Sequence, residues 1–116
     1  MMTVDERDRN LLKQISEEIA FIQQATTDVS ADTFEHDSLL QHGIVMALQI
    51  IGECAAHLSD SFTARHAEIP WQMITGLRNR ISHGYHLVDM DMVWEFVVND
   101  IPQLNKFIST LPFRSL

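Results

Sequence analysis

Between positions 78 and 86 the chain reads Arg78-Asn79-Arg80-Ile81-Ser82-His83-Gly84-Tyr85-His86, a run in which groups able to do chemistry converge. Histidine, with an ordinary pKa of about 6.5, serves as either acid or base near neutral pH. Arginine stays protonated and forks onto phosphate oxygens. The two together can shuttle protons at a phosphodiester and hold the charge that develops on it, with no metal required. One chain supplies a single Arg78 and His83 pair, and a two-fold dimer would supply two. Taken singly, each residue has a plainer meaning. Arg78 alone reads as one end of a surface salt bridge, His83 as a helix-end residue favoured by the helix dipole, and Tyr85 as an ordinary half-buried aromatic.

These groups need elements to position them. Thr3-Val4-Asp5-Glu6 reads as a capping box that starts a helix. Leu12, Ile15, Ile19 and Ile22 then recur at helical spacing, which predicts an amphipathic helix to about residue 27. The polar segment 26–37 is turn-prone, with one helical turn begun at Asp32. From Ser38 to Leu58 a second helix carries Ile44, Leu48, Ile51, Ala55 and Leu58 on one stripe, with Val45, Met46 and Ile50 outside it. Such a helix is either central in a bundle or also buried against another subunit. Residues 59–69 read as a loop. Pro70 fits the first turn of a third helix, with Trp71, Ile74, Leu77 and Ile81 inward and Gly84 as its stop. Asp89 or Asp91 caps a fourth, with Val93, Val97, Ile101, Leu104, Ile108 and Leu111 on one stripe and Pro102 expected to kink it through the carbonyl of Val98. No alternating run of strand length and no Asn-Gly or Asp-Gly turn occurs. The expectation is all-α: an antiparallel four-helix bundle with one further short turn, as a single domain over residues 1–116.

Helical phase sets a condition on the chemistry. Residues five apart on a regular helix point roughly 140° from one another, so Arg78 and His83 would not share a face. Gly84 relieves this, because His83 falls in the turn where the backbone leaves the helix. Asn79 is placed to hydrogen-bond phosphate or Arg78. Glu53, a charge in a mostly apolar helix, is placed to orient Arg78.

The totals constrain the partners. The chain has 116 residues, 46% of them hydrophobic, enough for one packed core. A single cysteine, Cys54, rules out a disulfide framework and suits a reducing compartment. The start lacks the layout of a signal peptide, and the longest apolar run, Ile44 to Leu48, is far below the roughly 20 residues of a membrane span. A cytoplasmic protein with no membrane partner is expected. Sixteen acidic against eight basic residues give a net charge of −8, which opposes nucleic-acid binding and suits docking to a basic protein. Yet no Lys or Arg occurs between Lys13 and Arg65, and Arg78 and Arg80 lie together, so a positive spot on an acidic body remains.

Arg78, His83 and Tyr85 stand in the order Arg-x-x-x-x-His-x-Tyr, which resembles the signature of the HepT-like ribonucleases of the HEPN superfamily. Ile51-Gly52-Glu53, Ile69-Pro70-Trp71, His83-Gly84-Tyr85, Val93-Trp94 and Asn99-Asp100-Ile101-Pro102 are similar too, so the likeness spans nearly the whole chain. The resemblance implies a HEPN-like helical bundle that forms a homodimer, with Arg78 and His83 of both subunits lining an interface cleft. It implies metal-independent RNA endonuclease activity as the toxin of a type VII toxin-antitoxin system. It implies a minimal nucleotidyltransferase (MNT) antitoxin that neutralises the toxin by adding AMP to Tyr85. On these terms Arg78, His83 and Asn79 are the catalytic residues, Glu53 supports them, and no cofactor is required.

Rival chemistries are weaker. Glu53 with His57, and Cys54 with His57, have helical ligand spacing. However, Cys54 precedes two alanines in an apolar helix, His83 and His86 straddle a glycine, and His36 lacks a second histidine at ligand spacing. No metal site is expected. Trp71 and Trp94 fall in phase with apolar neighbours and read as packing residues before base-stacking platforms. The competing function is a non-catalytic nucleotide-binding or adaptor subunit of a nucleotidyltransferase complex, which the acidic charge favours and the Arg78/His83 pair opposes.

Overall fold

The computed structural model describes residues 3–83 and 88–111, the side chains of Val4, Ser82 and His83 excepted. Among them there are helices and no strands. The first helix, α1 (Val4–Ala25), begins at the expected capping box: Glu6 donates its backbone N–H to Thr3 Oγ1 at 3.1 Å, and Thr3 donates its own to the Glu6 carboxylate at 3.2 Å. Two orphan donors of the first turn are thereby satisfied. Leu12, Ile15, Ile19 and Ile22 are all buried, as their spacing predicts. A fully buried side chain of this size contributes about 1.5–3 kcal/mol.

The turn expected near Asp32 is α2 (Ala31–Glu35), capped by Ser30, and it carries Phe34 into the core. Asp37 caps α3 (Ser38–Ala56) by accepting the Leu40 N–H. α3 packs against both α1 and α5 (Trp71–His83) and is thus central within the chain. Ser38–Ala56 is apolar and long enough by composition to cross a membrane, and its place between two helices accounts for that character. Asp8 of α1 meets Ser59 just past the end of α3, while Phe21 lies over Gly43 near its start. α1 and α3 therefore run antiparallel.

Two expectations need correction. Residues 59–69 are not simply a loop, because α4 (Asp60–Arg65) lies within them. It is six residues long, too short to show periodicity, and two contacts hold it. Phe62 is buried in the core, and Ser59 caps the first turn while its N–H and hydroxyl both donate to the buried Asp8 carboxylate, at 2.9 and 2.6 Å. The fourth predicted helix is also divided. α6 (Met90–Glu95), capped by Asp89, passes into a π-helical turn, Phe96–Asp100, and then into α7 (Ile101–Ser109). Ile101 donates to the Phe96 carbonyl, and Pro102 sits in the first turn of α7 where its missing N–H costs little. The disturbance expected at Pro102 thus takes the form of a widened turn just before it. Val93, Val97, Ile101, Leu104 and Ile108 nonetheless all face the core.

Gly52 decides how close α3 and α5 come. A Cβ there would lie 2.6 Å from Arg78 Cβ and 3.0 Å from the Ile74 carbonyl oxygen. Gly76 of α5, in contrast, has nothing within 4 Å of the corresponding position. Gly76→Ala should raise stability by about 0.5–1 kcal/mol through helix propensity. Gly52→Ala should lower it, since overpacking costs about 1–3 kcal/mol. Urea unfolding of both variants checks this, and equal gains would contradict the close approach. Asp8→Ala, which strands the Ser59 N–H, should cost about 1–3 kcal/mol in the same measurement.

Candidate active site

The close approach at Gly52 brings the next residue of α3, Glu53, against Arg78 of α5. Arg78 donates from Nη1 to Glu53 Oε2 at 3.1 Å, and from Nε and Nη2 to Asn79 Oδ1 at 3.2 and 2.7 Å. A carboxylate from one helix and an amide from its own therefore fix the guanidinium plane on two sides. The Arg78 side chain keeps 27% of its surface exposed, and N–H groups on Nη1 and Nη2 remain for a ligand beyond these bonds. Such a held fork is shaped for phosphate.

The residues around Glu53 are otherwise engaged. His57, one turn along α3, turns its Nδ1 to the Glu53 backbone carbonyl at 2.8 Å and reaches the carboxylate only at 3.9 Å. Cys54 is buried, and its thiol pKa is raised by burial first and then by the nearby Glu18 and Glu53 charges. It is a packing residue held in the thiol form, ill suited to bind metal as thiolate. Elsewhere, Asp32, Glu35 and His36 of α2 bring one ligand atom each within 4.8 Å of one another, a grouping that a search for paired histidines overlooks. All three are exposed, and His36 Nδ1 is engaged with the Asp32 carbonyl.

Of the residues singled out in the sequence, Glu53, Arg78 and Asn79 come together. His83 is the last residue of α5, with its side chain outside the described set. Tyr85, and the helix stop expected at Gly84, lie outside the described residues. Trp71 and Trp94 pack as expected. Trp71 Nε1 donates to the His66 carbonyl at 2.9 Å and its ring meets Phe62 and Phe107 edge-on, while Trp94 stacks at 5.0 Å on Phe34. Sequence reasoning passed over the steric role of Gly52, whose signal is its place directly before the isolated charge of Glu53.

Comparison with known proteins converges on one family. The profile of the HepT-like ribonucleases matches residues 15–111. A protein of Caldanaerobacter subterraneus subsp. tengcongensis, named as a candidate RNase, is 31% identical over 89% of this chain and 92% of its own length. A protein of Thermococcus cleftensis named as a probable ribonuclease HepT is 33% identical over 83% of this chain and 87% of its own. A candidate RNase of Methanocaldococcus jannaschii is 28% identical over 82% and 87%. No solved structure matches the chain. With a family profile covering most of its length, and relatives of its own size at this identity, the chain belongs to the HepT-like ribonuclease family.

Proposed function

We propose that the protein is a metal-independent RNA endonuclease in which His83 moves the protons, Arg78 stabilises the phosphorane-like transition state and Asn79 assists. The observation that carries this is the Arg78 guanidinium, locked between Glu53 and Asn79 with N–H groups to spare. In the reaction the 2′ oxygen attacks the adjacent phosphorus and loses its proton to one imidazole. The bond to the 5′ oxygen breaks, and that oxygen takes a proton from the second. A 2′,3′-cyclic phosphate and a 5′-OH result. Each chain holds one His83, so a pair of these imidazoles comes from two chains, and the active form is a homodimer, acting in the cytoplasm.

The surface of α3 supports that assembly. Leu39 and Met46 are 85% and 57% exposed, and with Glu53 they fall at seven-residue intervals, nearly one stripe of the helix. An apolar stripe that leads to the residue holding Arg78 suits an interface beside the site. Extending the family reading, the protein is the toxin of a type VII system. Its MNT antitoxin silences it by adding AMP to Tyr85, next but one to His83 in the sequence.

Four outcomes are expected. In excess chelator the purified protein cuts RNA and His83→Ala reduces the rate at least about 100-fold; undiminished cleavage by the variant removes His83 from catalysis. Glu53→Ala should slow cleavage about tenfold while changing unfolding free energy by less than about 1 kcal/mol, the scale of an exposed ion pair. Met46→Glu should shift the protein toward monomer in light scattering and lower activity with it. Coexpression with the antitoxin should add the mass of AMP to the wild-type chain and not to Tyr85→Phe.

A further inference from the structure

On another face of α5 a cleft opens that the proposed chemistry does not use. It encloses about 400 Å³ between α5, α6 and the π-helical turn. That is within the range of small-ligand sites, about 300–1,000 Å³. Met73, Met92 and Phe96 provide an apolar lining, and Gly76 leaves room above the helix. Arg80 stands in the wall with Nη1 2.9 Å from Met92 Sδ and, among the described residues, forms no ion pair. Glu95 and Asp100 face the same cleft, and neither carboxylate receives a hydrogen bond from a described residue. Both acids line the one cleft, and burial, then the charge of Glu95, raise the Asp100 pKa.

An apolar slot with open hydrogen-bond acceptors and a guanidinium that makes no ion pair among the described residues matches a nucleotide. The flat base meets Met73, Met92 and Phe96, its N–H edge meets the carboxylates, and Arg80 meets its phosphate. We infer that this cleft is a base-reading subsite that takes a guanine of the RNA substrate. The Watson–Crick edge of guanine offers two adjacent donors, N1–H and the 2-amino group, to a pair of carboxylate oxygens. Adenine and cytosine offer an amino group beside an acceptor, and uracil presents one N–H flanked by carbonyls that the acids repel. Arg78 and Arg80 lie two residues apart on α5 and point roughly 200° from one another, so a strand gripped at Arg78 reaches the cleft by crossing the helix, and the guanine it reads lies some nucleotides from the cut. The inference rests on the ribonuclease reading for its substrate, while the ligand class rests on the cleft alone.

Guanosine and uridine 5′-monophosphates are titrated into protein labelled at the methionine methyl groups, and the Met73 and Met92 signals are followed by NMR. Guanosine monophosphate should shift both, with at least about tenfold weaker binding of uridine monophosphate. Asp100→Asn and Glu95→Gln should each erase that preference, and Gly76→Leu, whose side chain enters open space, should abolish binding with the fold intact by circular dichroism. Unmoved methyl signals, equal response to both nucleotides, or a preference untouched by both acid variants would overturn the inference. With RNA, wild-type cuts should fall at a fixed offset from guanine, and replacing that guanine by inosine, which lacks the 2-amino group, should slow them. Nucleotide binding with guanine-blind cutting would overturn the assignment to substrate. Binding without any RNA cleavage would instead fail the ribonuclease reading and leave the ligand class standing.

Discussion

The contact between α3 and α5 at Gly52 is the constraint from which the site follows. Because position 52 has no side chain, the backbone of α3 comes against Arg78 Cβ and the Ile74 carbonyl. Glu53, the next residue, then reaches the guanidinium at 3.1 Å. Were the helices held farther apart by a methyl group, the ion pair would lengthen, and Arg78 would be free to swing toward solvent. A half-exposed ion pair adds little to stability. Its value here is geometric: it holds the Arg78 guanidinium in one orientation on two packed helices.

The rest of the fold serves that contact. α1 and α3 bury a common stripe of isoleucines and leucines, and the Asp8 carboxylate fastens the start of α4 to α1. α5 presents Ile74, Leu77 and Ile81 to the same core, which fixes its rotation and therefore the direction of Arg78. The π-helical turn before Pro102 lets the α6 to α7 segment keep its apolar stripe inward while placing Glu95 and Asp100 beside α5.

Much of this was legible in the residues. The capping box at Thr3, the isoleucine spacing of α1 and the apolar stripe beginning at Val93 translate into buried faces by helical period alone. Asn79 and Glu53 could be assigned to Arg78 because an amide beside it and a lone charge in an apolar helix have few other uses. α4 escaped notice, since six residues cannot display a period and its anchor, Asp8, lies 51 positions away in sequence. The π-helical turn was equally hidden: a proline announces a disturbance but not whether the backbone bends or widens. The cleft beside Arg80 joins α5 to residues beyond position 91, a juxtaposition that only packing creates.

The central claim is that a fixed guanidinium and paired imidazoles cut RNA by internal attack of the 2′ oxygen. Phosphorus NMR of the first-formed product, made in excess chelator, addresses it most directly. A 2′,3′-cyclic phosphate signal that appears before any monoester is the predicted result. A product that carries a 5′-phosphate from the outset would contradict it, for that outcome requires water as the nucleophile and a different set of groups to activate it.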